Sequence, residues 1–491
     1  MMRSLYSGVS GLKVHQTKMD VIGNNIANVN TVGFKGSSVT FSDVFYQTSQ
    51  SASGANAETG TAGKNAIQIG LGSNLSAVSM NISVAGGSQR TDNPFDCMIS
   101  GDGFFIVNTG ASNYFTKNGA FTVDGGGTLC TYDGANVMGW QVDTEGNIIK
   151  ARVSPLKIMS PENQYSEPKA TTDAFIAGNI DKNDPQLSSD VGFPAQVSFY
   201  DNVGSSYTAK LNVKKTDLEG KYTVSVGDIV DTNDKSIFTK YDPKTKTYVA
   251  TNITKFKFAG TDYAATVNPA TGEVTLAHAA ADDTILDFNP SNGAYSGIYK
   301  KGATGDALKA KEITFDLSAT GTDYTLAEGN PFSASGVKID FSTITQYASS
   351  KTSKLEMTKG KLSDRTGAGL PVGNMTGVSI DQSGKIYGTY DNGTNKLLGQ
   401  IAVASFSNPA GLEAVGGSLF AQTKNSGDFD GIGQDPTSGG GALDTGVLEM
   451  SNVDLSTEFT NMITTQRGFQ ANSRIITTSD TLLEELINLK R

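Results

Sequence analysis

Residues 448–491 read LEMSNVDLSTEFTNMITTQRGFQANSRIITTSDTLLEELINLKR. Apolar residues recur at every seventh position, through Leu448, Leu455, Met462, Phe469, Ile476 and Leu483. A shorter line of the same period runs through Ile475, Leu482 and Leu489. A helix brings such residues onto one face. The stretch lacks Pro and holds one Gly, Gly468, so one long helix is expected. Either Ser451 or Asp454 serves as N-cap, its side-chain oxygen accepting a first-turn N–H. Lys490 and Arg491 fall at the end where the helix dipole favours cations. From Asp454 to Leu489 the helix would run about 54 Å at 1.5 Å per residue. A helix of that length needs an extended partner.

The other end of the chain offers one. Leu5, Leu12, Met19 and Ile26 also lie seven apart, with Ile22 and Val29 three residues after the last two. A sustained spacing of seven points to a coiled-coil seam. The alternative is two unrelated amphipathic helices on a globular core. The seam is thin, because the positions four after each C-terminal apolar residue are Asn452, Phe459, Gln466, Ser473, Asp480 and Ile487, of which two are apolar. Such a pair is marginal in water without further packing. The expected fold is mainly β outer domains inserted between N- and C-terminal α-helices that pair as a coiled-coil-like stalk.

Composition supports β-domains between the helices. The chain has 491 residues, 37% hydrophobic and 18% charged, with 56 Gly, as many short strands joined by tight turns require. A net charge of −10 argues against a nucleic-acid partner. No run of 18 apolar residues indicates a membrane span, and Met1–Val14 has no apolar signal core. Cys97 and Cys130 are too few for a disulfide framework; they either pair or lie as small buried hydrophobes.

Taken in order, Ser4 to about Asn30 reads as the first helix. Gln47–Ser73, and Thr423–Gly446 in the mirror position, read as Gly- and Ser-rich connectors. Phe104-Phe105-Ile106-Val107 is a strand, and Asn118-Gly119 is a hairpin signal between Tyr114-Phe115-Thr116 and Phe121-Thr122-Val123. Strands within Val378–Phe420 are expected to complete the sheet begun near residue 80. The division is then 1–40 plus 448–491 as stalk, 41–80 plus 421–447 as connector, 81–165 plus 364–420 as an inner β-domain, and 166–363 as one or two nested outer β-domains.

The segment Asn24-Asn25-Ile26-Ala27-Asn28-Val29-Asn30-Thr31-Val32-Gly33-Phe34-Lys35 suits a helix exit, since Asn and Gly tolerate the left-handed conformation. It also resembles the signature of the flagellar axial proteins, the rod, hook and hook-associated components of the bacterial flagellum. Gln466-Arg467-Gly468-Phe469-Gln470-Ala471-Asn472 is similar to the signature at the other end of that family. The signature residues are Asn24, Asn25, Ala27, Asn28, Gly33, Phe34 and Lys35, with Gln466, Arg467, Gln470 and Asn472. The long middle section resembles hook-type members more than the shorter rod-type ones. Phe41 and Phe45, four apart, would share one face of a helical turn as a packing pair. The resemblance implies a second role for them, as an element read by the flagellar type III export gate. It further implies an extracellular homopolymer, a helical tube, with the distal rod protein, hook cap and hook–filament junction protein as neighbours.

No phosphate loop, H-E-x-x-H or C-x-x-C spacing occurs, and His15 and His278 are the only histidines. No catalytic, cofactor or metal residue is therefore assigned, and the expected mechanism is assembly. Leu5, Leu12, Met19, Ile22 and Ile26, with Leu455, Phe459, Met462, Phe469, Ile476 and Leu483, are expected to bury when the terminal helices pack among neighbouring subunits. A distal rod protein, a secreted β-rich adhesin and an enzyme acting on polysaccharides are the alternatives.

Overall fold

The computed structural model describes residues 2–54, 60, 62–143, 145–251, 253, 255–317, 332, 336–438 and 441–489. Two long helices, α1 (Met2–Ala27) and α2 (Leu455–Asn488), pair with each other, and nearly all other regular structure is β. Asp454 is the N-cap of α2: its carboxylate accepts from Ser456 N (2.9 Å) and Thr457 Oγ1 (2.7 Å). Those two bonds, the Thr457 hydroxyl foremost, hold its pKa below the usual carboxylate value. Leu448 departs from the helical reading. It lies in strand Val447–Glu449 and is buried there, and α2 starts seven residues later. Lys490 and Arg491 lie outside the described residues.

The chain divides into two compact units, Met1–Gln164 with Met375–Thr389 and Asn395–Arg491, and Tyr165–Asn374 with Tyr390–Thr394. In the first unit α1 leads into β1 (Ser37–Asp43), β2 (Tyr46–Gln50), β3 (Ile67–Gly70) and β4 (Ser73–Met80). Strand β1 pairs antiparallel with β4, and β2 with β3. The stretch read as a loop therefore holds a β-ribbon, whose residues 46–50 and 67–70 are all exposed. Phe41 and Phe45 share no helical turn, since Phe41 is in β1 and Phe45 in the two-residue link between β1 and β2. A period of four over one pair of residues could not distinguish these arrangements.

Next come β5 (Ser88–Arg90), β6 (Cys97–Ser100), β7 (Phe104–Asn108) and β8 (Asn113–Thr116). A sheet of the same unit runs Asn395–Ile401, Asn136–Gln141, β7, β8, Leu419–Ala421, Glu413–Gly416, so it interleaves N- and C-terminal halves of the chain. The continuous apolar run 104–107 has a direct cause: β7 is buried on both faces. Phe105 and Val107 enter one core with Phe121, Val137 and Ile401, while Phe104 and Ile106 enter another with Phe115, Trp140 and Phe406. Asn118-Gly119 does not close a hairpin. β8 pairs with β7, and Phe121–Val123 with Leu129–Thr131. Gly119 is needed there because a Cβ would stand 1.6 Å from the Cys97 carbonyl oxygen.

The second unit has a seven-stranded sheet, Val274–Ala277, Thr261–Val267, Lys255–Phe258, Glu312–Asp316, Val337–Thr345, Asp173–Asn179, Lys354–Lys359, and a five-stranded antiparallel one from Phe193–Tyr200 to Tyr295–Lys300. One core draws on both, including Phe199, Leu211, Tyr222, Phe256, Phe258, Phe315 and Ile339. Hairpins in both units reuse a five-residue loop. The Oδ1 of Asp124, Asp143, Asp201, Asp231 and Asp381 accepts the N–H groups two and four residues on. The fourth position has positive φ, supplied by Gly127, Gly146, Gly204 and Gly384, and by Asp234 in the remaining loop.

Candidate assembly interface

The α1–α2 seam mixes small and polar residues with apolar ones. On α1 the buried positions are Gly8, Gly11, Val14, Ile22 and Asn25; on α2 they are Thr465 and Ser479. A Cβ on Gly11 would stand 2.7 Å from Asn472 Nδ2, and one on Gly468 would stand 2.7 Å from the His15 ring. Missing side chains thus let the helices approach closely, as small residues do at tight crossings. His15 Nδ1, Glu458 Oε2 and Thr465 Oγ1 are buried with no hydrogen-bond partner among the described residues. Burial, and secondarily Lys18, lowers the His15 pKa, and its ring meets Phe41 edge-on at 5.9 Å.

The line of sevens enters this seam only in part: a Cβ on Gly8 would stand 3.3 Å from Ile476 Cγ1. Ile22 is buried, and Leu5, Leu12, Met19, Ile26, Met462, Ile476 and Leu483 are half-buried, but Leu455 (40%), Phe459 (48%) and Phe469 (37%) are exposed. Ile463 and Leu486 are exposed too and escaped the seven-residue reading, and Ile487 and Leu489, which that reading included, are likewise exposed. At 3.6 residues per turn, Leu455, Phe459 and Ile463 lie on one side of the seam, and Ile475, Leu482, Leu486 and Leu489 on the other. The period of seven found Ile475, Leu482 and Leu489 of the second stripe; helical-wheel angles add Ile463 and Leu486 to the two stripes. Among the described residues α2 therefore carries apolar surface on both flanks of its contact with α1.

The N-terminal signature residues serve a different end: they tie the helix roots together. Asn25, buried, donates through Nδ2 to Ser37 O (2.8 Å) and accepts from Ser37 N (2.9 Å). Asn24 and Asn28 bond each other, Nδ2 of Asn28 reaching Asn24 Oδ1 at 3.1 Å, and Ala27 ends the helix. Gly33 takes φ +67° and donates its N–H to Glu449 O (2.8 Å); a Cβ there would meet Asn118 N at 2.7 Å. Phe34 O accepts Asn452 N. Lys35 Nζ lies 2.6 Å from Glu449 Oε1 and 2.7 Å from Val84 O, and both charged side chains are 1% exposed. Asn452 takes the Gly36 N–H on Oδ1 (2.8 Å) and donates to Asn81 O and Val84 O. Sequence spacing gave no warning of Glu449, which sits 414 residues from its partner.

Of the C-terminal signature, Asn472 alone enters the seam. Gln466, Arg467 and Gln470 face solvent, with Arg467 Nη1 3.3 Å from Gln470 Oε1. Elsewhere, Cys97 and Cys130 are free and buried, and burial pushes the Cys97 thiol up to about 12. His278 Nε2 lies 3.0 Å from Asp283 Oδ1 with its ring stacked on Tyr263. No group of three or more His, Cys, Asp or Glu among the described residues is placed to hold a metal ion, and no described helix is long and apolar enough to cross a membrane.

Three families match along the chain: "Flagella basal body rod protein" over residues 5–35, "Flagellar hook protein FlgE/F/G D1 domain" over 98–167, and "Flagellar basal body rod FlgEFG protein C-terminal" over 444–489. The flagellar hook protein FlgE of Treponema pallidum is 35% identical, and that of Borreliella burgdorferi 35%, each over the full length of both chains. A protein named flagellar basal-body rod protein FlgG, from Bacillus subtilis, is 27% identical over 100% of both chains. Chain length therefore does not by itself separate hook from rod. The resemblance of the terminal segments, the matching inner β-region and the full-length similarity agree, and the chain belongs to the flagellar hook protein FlgE family.

Proposed function

We propose that this chain is the structural subunit of the flagellar hook and polymerises into the curved tube between rod and filament. The carrying observation is the helix pair: small and polar residues hold much of its internal contact, while Leu455, Phe459, Ile463, Phe469, Leu482 and Leu486 along α2, and Leu489 just past it, stay exposed. Apolar surface of that extent is buried against something, and a head-to-tail contact that does not close generates a helical filament. In the tube each α2 lies between neighbouring copies, which bury the two stripes. The helices are poorly ordered in the free subunit, because an unburied amphipathic pair gains little from tertiary packing.

The labour divides accordingly: 1–40 with 448–491 form the stalk, 41–80 with 421–447 the connector, 81–165 with 364–420 the inner β-domain, and 166–363 the outer β-region that slides as the hook bends. Export proceeds unfolded through the type III gate, with Phe41 and Phe45 as the recognised pair, to an extracellular position on the flagellum. The distal rod protein, hook cap and hook–filament junction protein are its axial neighbours. Concentrated full-length protein is expected to form curved tubes by electron microscopy, with more helix by circular dichroism than the monomer has. Straight tubes would favour the rod reading, and a closed trimer at every concentration would favour an adhesin. A variant ending at Ser451 that still polymerises would remove α2 from the mechanism.

A further inference from the structure

The two helices leave the β-structure at points far apart in sequence, yet their roots are locked by a buried charge cluster. Lys35 and Glu449 form the centre, and the carboxylate also takes the Gly86 N–H (3.0 Å) while its Oε2 has no partner among the described residues. A second buried ammonium, Lys117, donates to Gly101 O (2.7 Å) and stands over the Phe104 ring. It feels both members of the pair, Glu449 raising its pKa and Lys35 lowering it. Asn25–Ser37 and Gly36–Asn452 bracket the pair above and below. Every element at the cluster belongs to the same compact unit.

A buried ion pair adds little net stability over an apolar pair of equal size, but losing one member leaves a charge stranded. Its effect is therefore conditional: Lys35 buries comfortably only once Glu449 has arrived. The helix seam is too polar to enforce that order. We propose that the Lys35–Glu449 pair is a clasp, closed in the free subunit before the helices order, which fixes the exit of α1 against the entry of α2 and so delivers them in register to assembly. This rests on the disorder-to-order reading above, and deepens it by placing the boundary of order at residues 33–36 and 447–452.

Amide exchange on the full-length monomer tests it without requiring filaments. The Gly33, Gly36, Gly86 and Met450 N–H groups, which all donate within the root, should be protected about as well as Phe105 and Val107. Amides at 8–20 and 460–483 should exchange at least about a hundredfold faster. Root amides exchanging at least about a hundredfold faster than Phe105 and Val107 would overturn the clasp. Helices as slow as the root would overturn the disorder-to-order reading, and the clasp is then decided by substitution. Lys35→Met and Glu449→Gln, each alone, should speed root exchange at least about a hundredfold with Phe105 and Val107 unmoved, and the double variant should return within about tenfold of wild type. Purely additive effects, no effect, or equal loosening of Phe105 and Val107 would each sink the proposal.

Discussion

The helix pair and the second unit use apolar residues in opposite ways. In residues 165–374 the apolar side chains of two sheets turn inward, and Phe256, Phe258, Phe315 and Ile339 are at most 1% exposed. Along α2 the seam holds Thr465, Gly468, Asn472 and Ser479 with Ile476, while Leu455, Phe459, Ile463, Leu482 and Leu486 are exposed. The first arrangement is complete within one chain. The second leaves apolar surface uncovered within one chain, which on the proposed reading other copies cover. An apolar residue marks where water will be excluded; it does not say whose atoms will exclude it.

The strongest way to break that contrast is to cut into the closed core. Phe315→Ala removes a ring in contact with Phe199, Phe256 and Phe258 and should lower the stability of the second unit by about 3–5 kcal/mol. Denaturant unfolding followed on that unit checks it, and polymerisation should survive wherever the unit stays folded.

Next in size is a pH effect in the first unit. Burial lowers the Lys117 pKa from 10.5 to about 8. Below pH 8 both folded and unfolded chains hold the proton, and the folded chain bears the penalty of a buried ammonium. Between pH 8 and 10.5 only the unfolded chain holds it, so stability from this group rises with pH, by on the order of 3 kcal/mol at most. Lys117→Met should flatten that rise when chemical denaturation of the two proteins is compared across the window.

Gly11→Val places branched carbons where Asn472 now sits. It should weaken the helix pair by about 1–3 kcal/mol, read as lost helix signal in the polymer rather than in the monomer. Asp454→Ala removes the acceptor of two first-turn donors and should weaken α2 by about 1 kcal/mol. The smallest expected effect on the monomer is the most telling. Leu486→Ser, at a 49% exposed site, should change monomer stability by no more than about 0.5 kcal/mol, yet raise the critical concentration for polymerisation. A monomer effect of several kcal/mol would mean that α2 is packed within its own chain.

Much of this organisation was legible in the residues. The Pro-free stretches at both ends read correctly as long helices, because helix propensity and capping are local properties. The run Phe104–Val107 read as a strand for the same reason. The errors all concern partners. Leu448 continued the period of seven but was captured as a strand by β5. Asn118-Gly119 carried a hairpin signal, yet its flanking strands pair elsewhere, and Gly119 answers instead to the Cys97 carbonyl. Phe41 and Phe45 had helical spacing in a stretch whose mate, β4, drew it into a sheet.

By itself, then, the sequence determined that helices stand at both ends, that β-structure lies between them, and which residues carry apolar surface. Only the tertiary structure decided which face of α2 meets α1, that glycines rather than leucines make that contact, and that Lys35 finds Glu449. The physical reason is one of range. Propensity, capping and turn geometry act over a few residues, whereas a seam or a buried ion pair depends on which distant atoms the folded chain brings within a few ångströms.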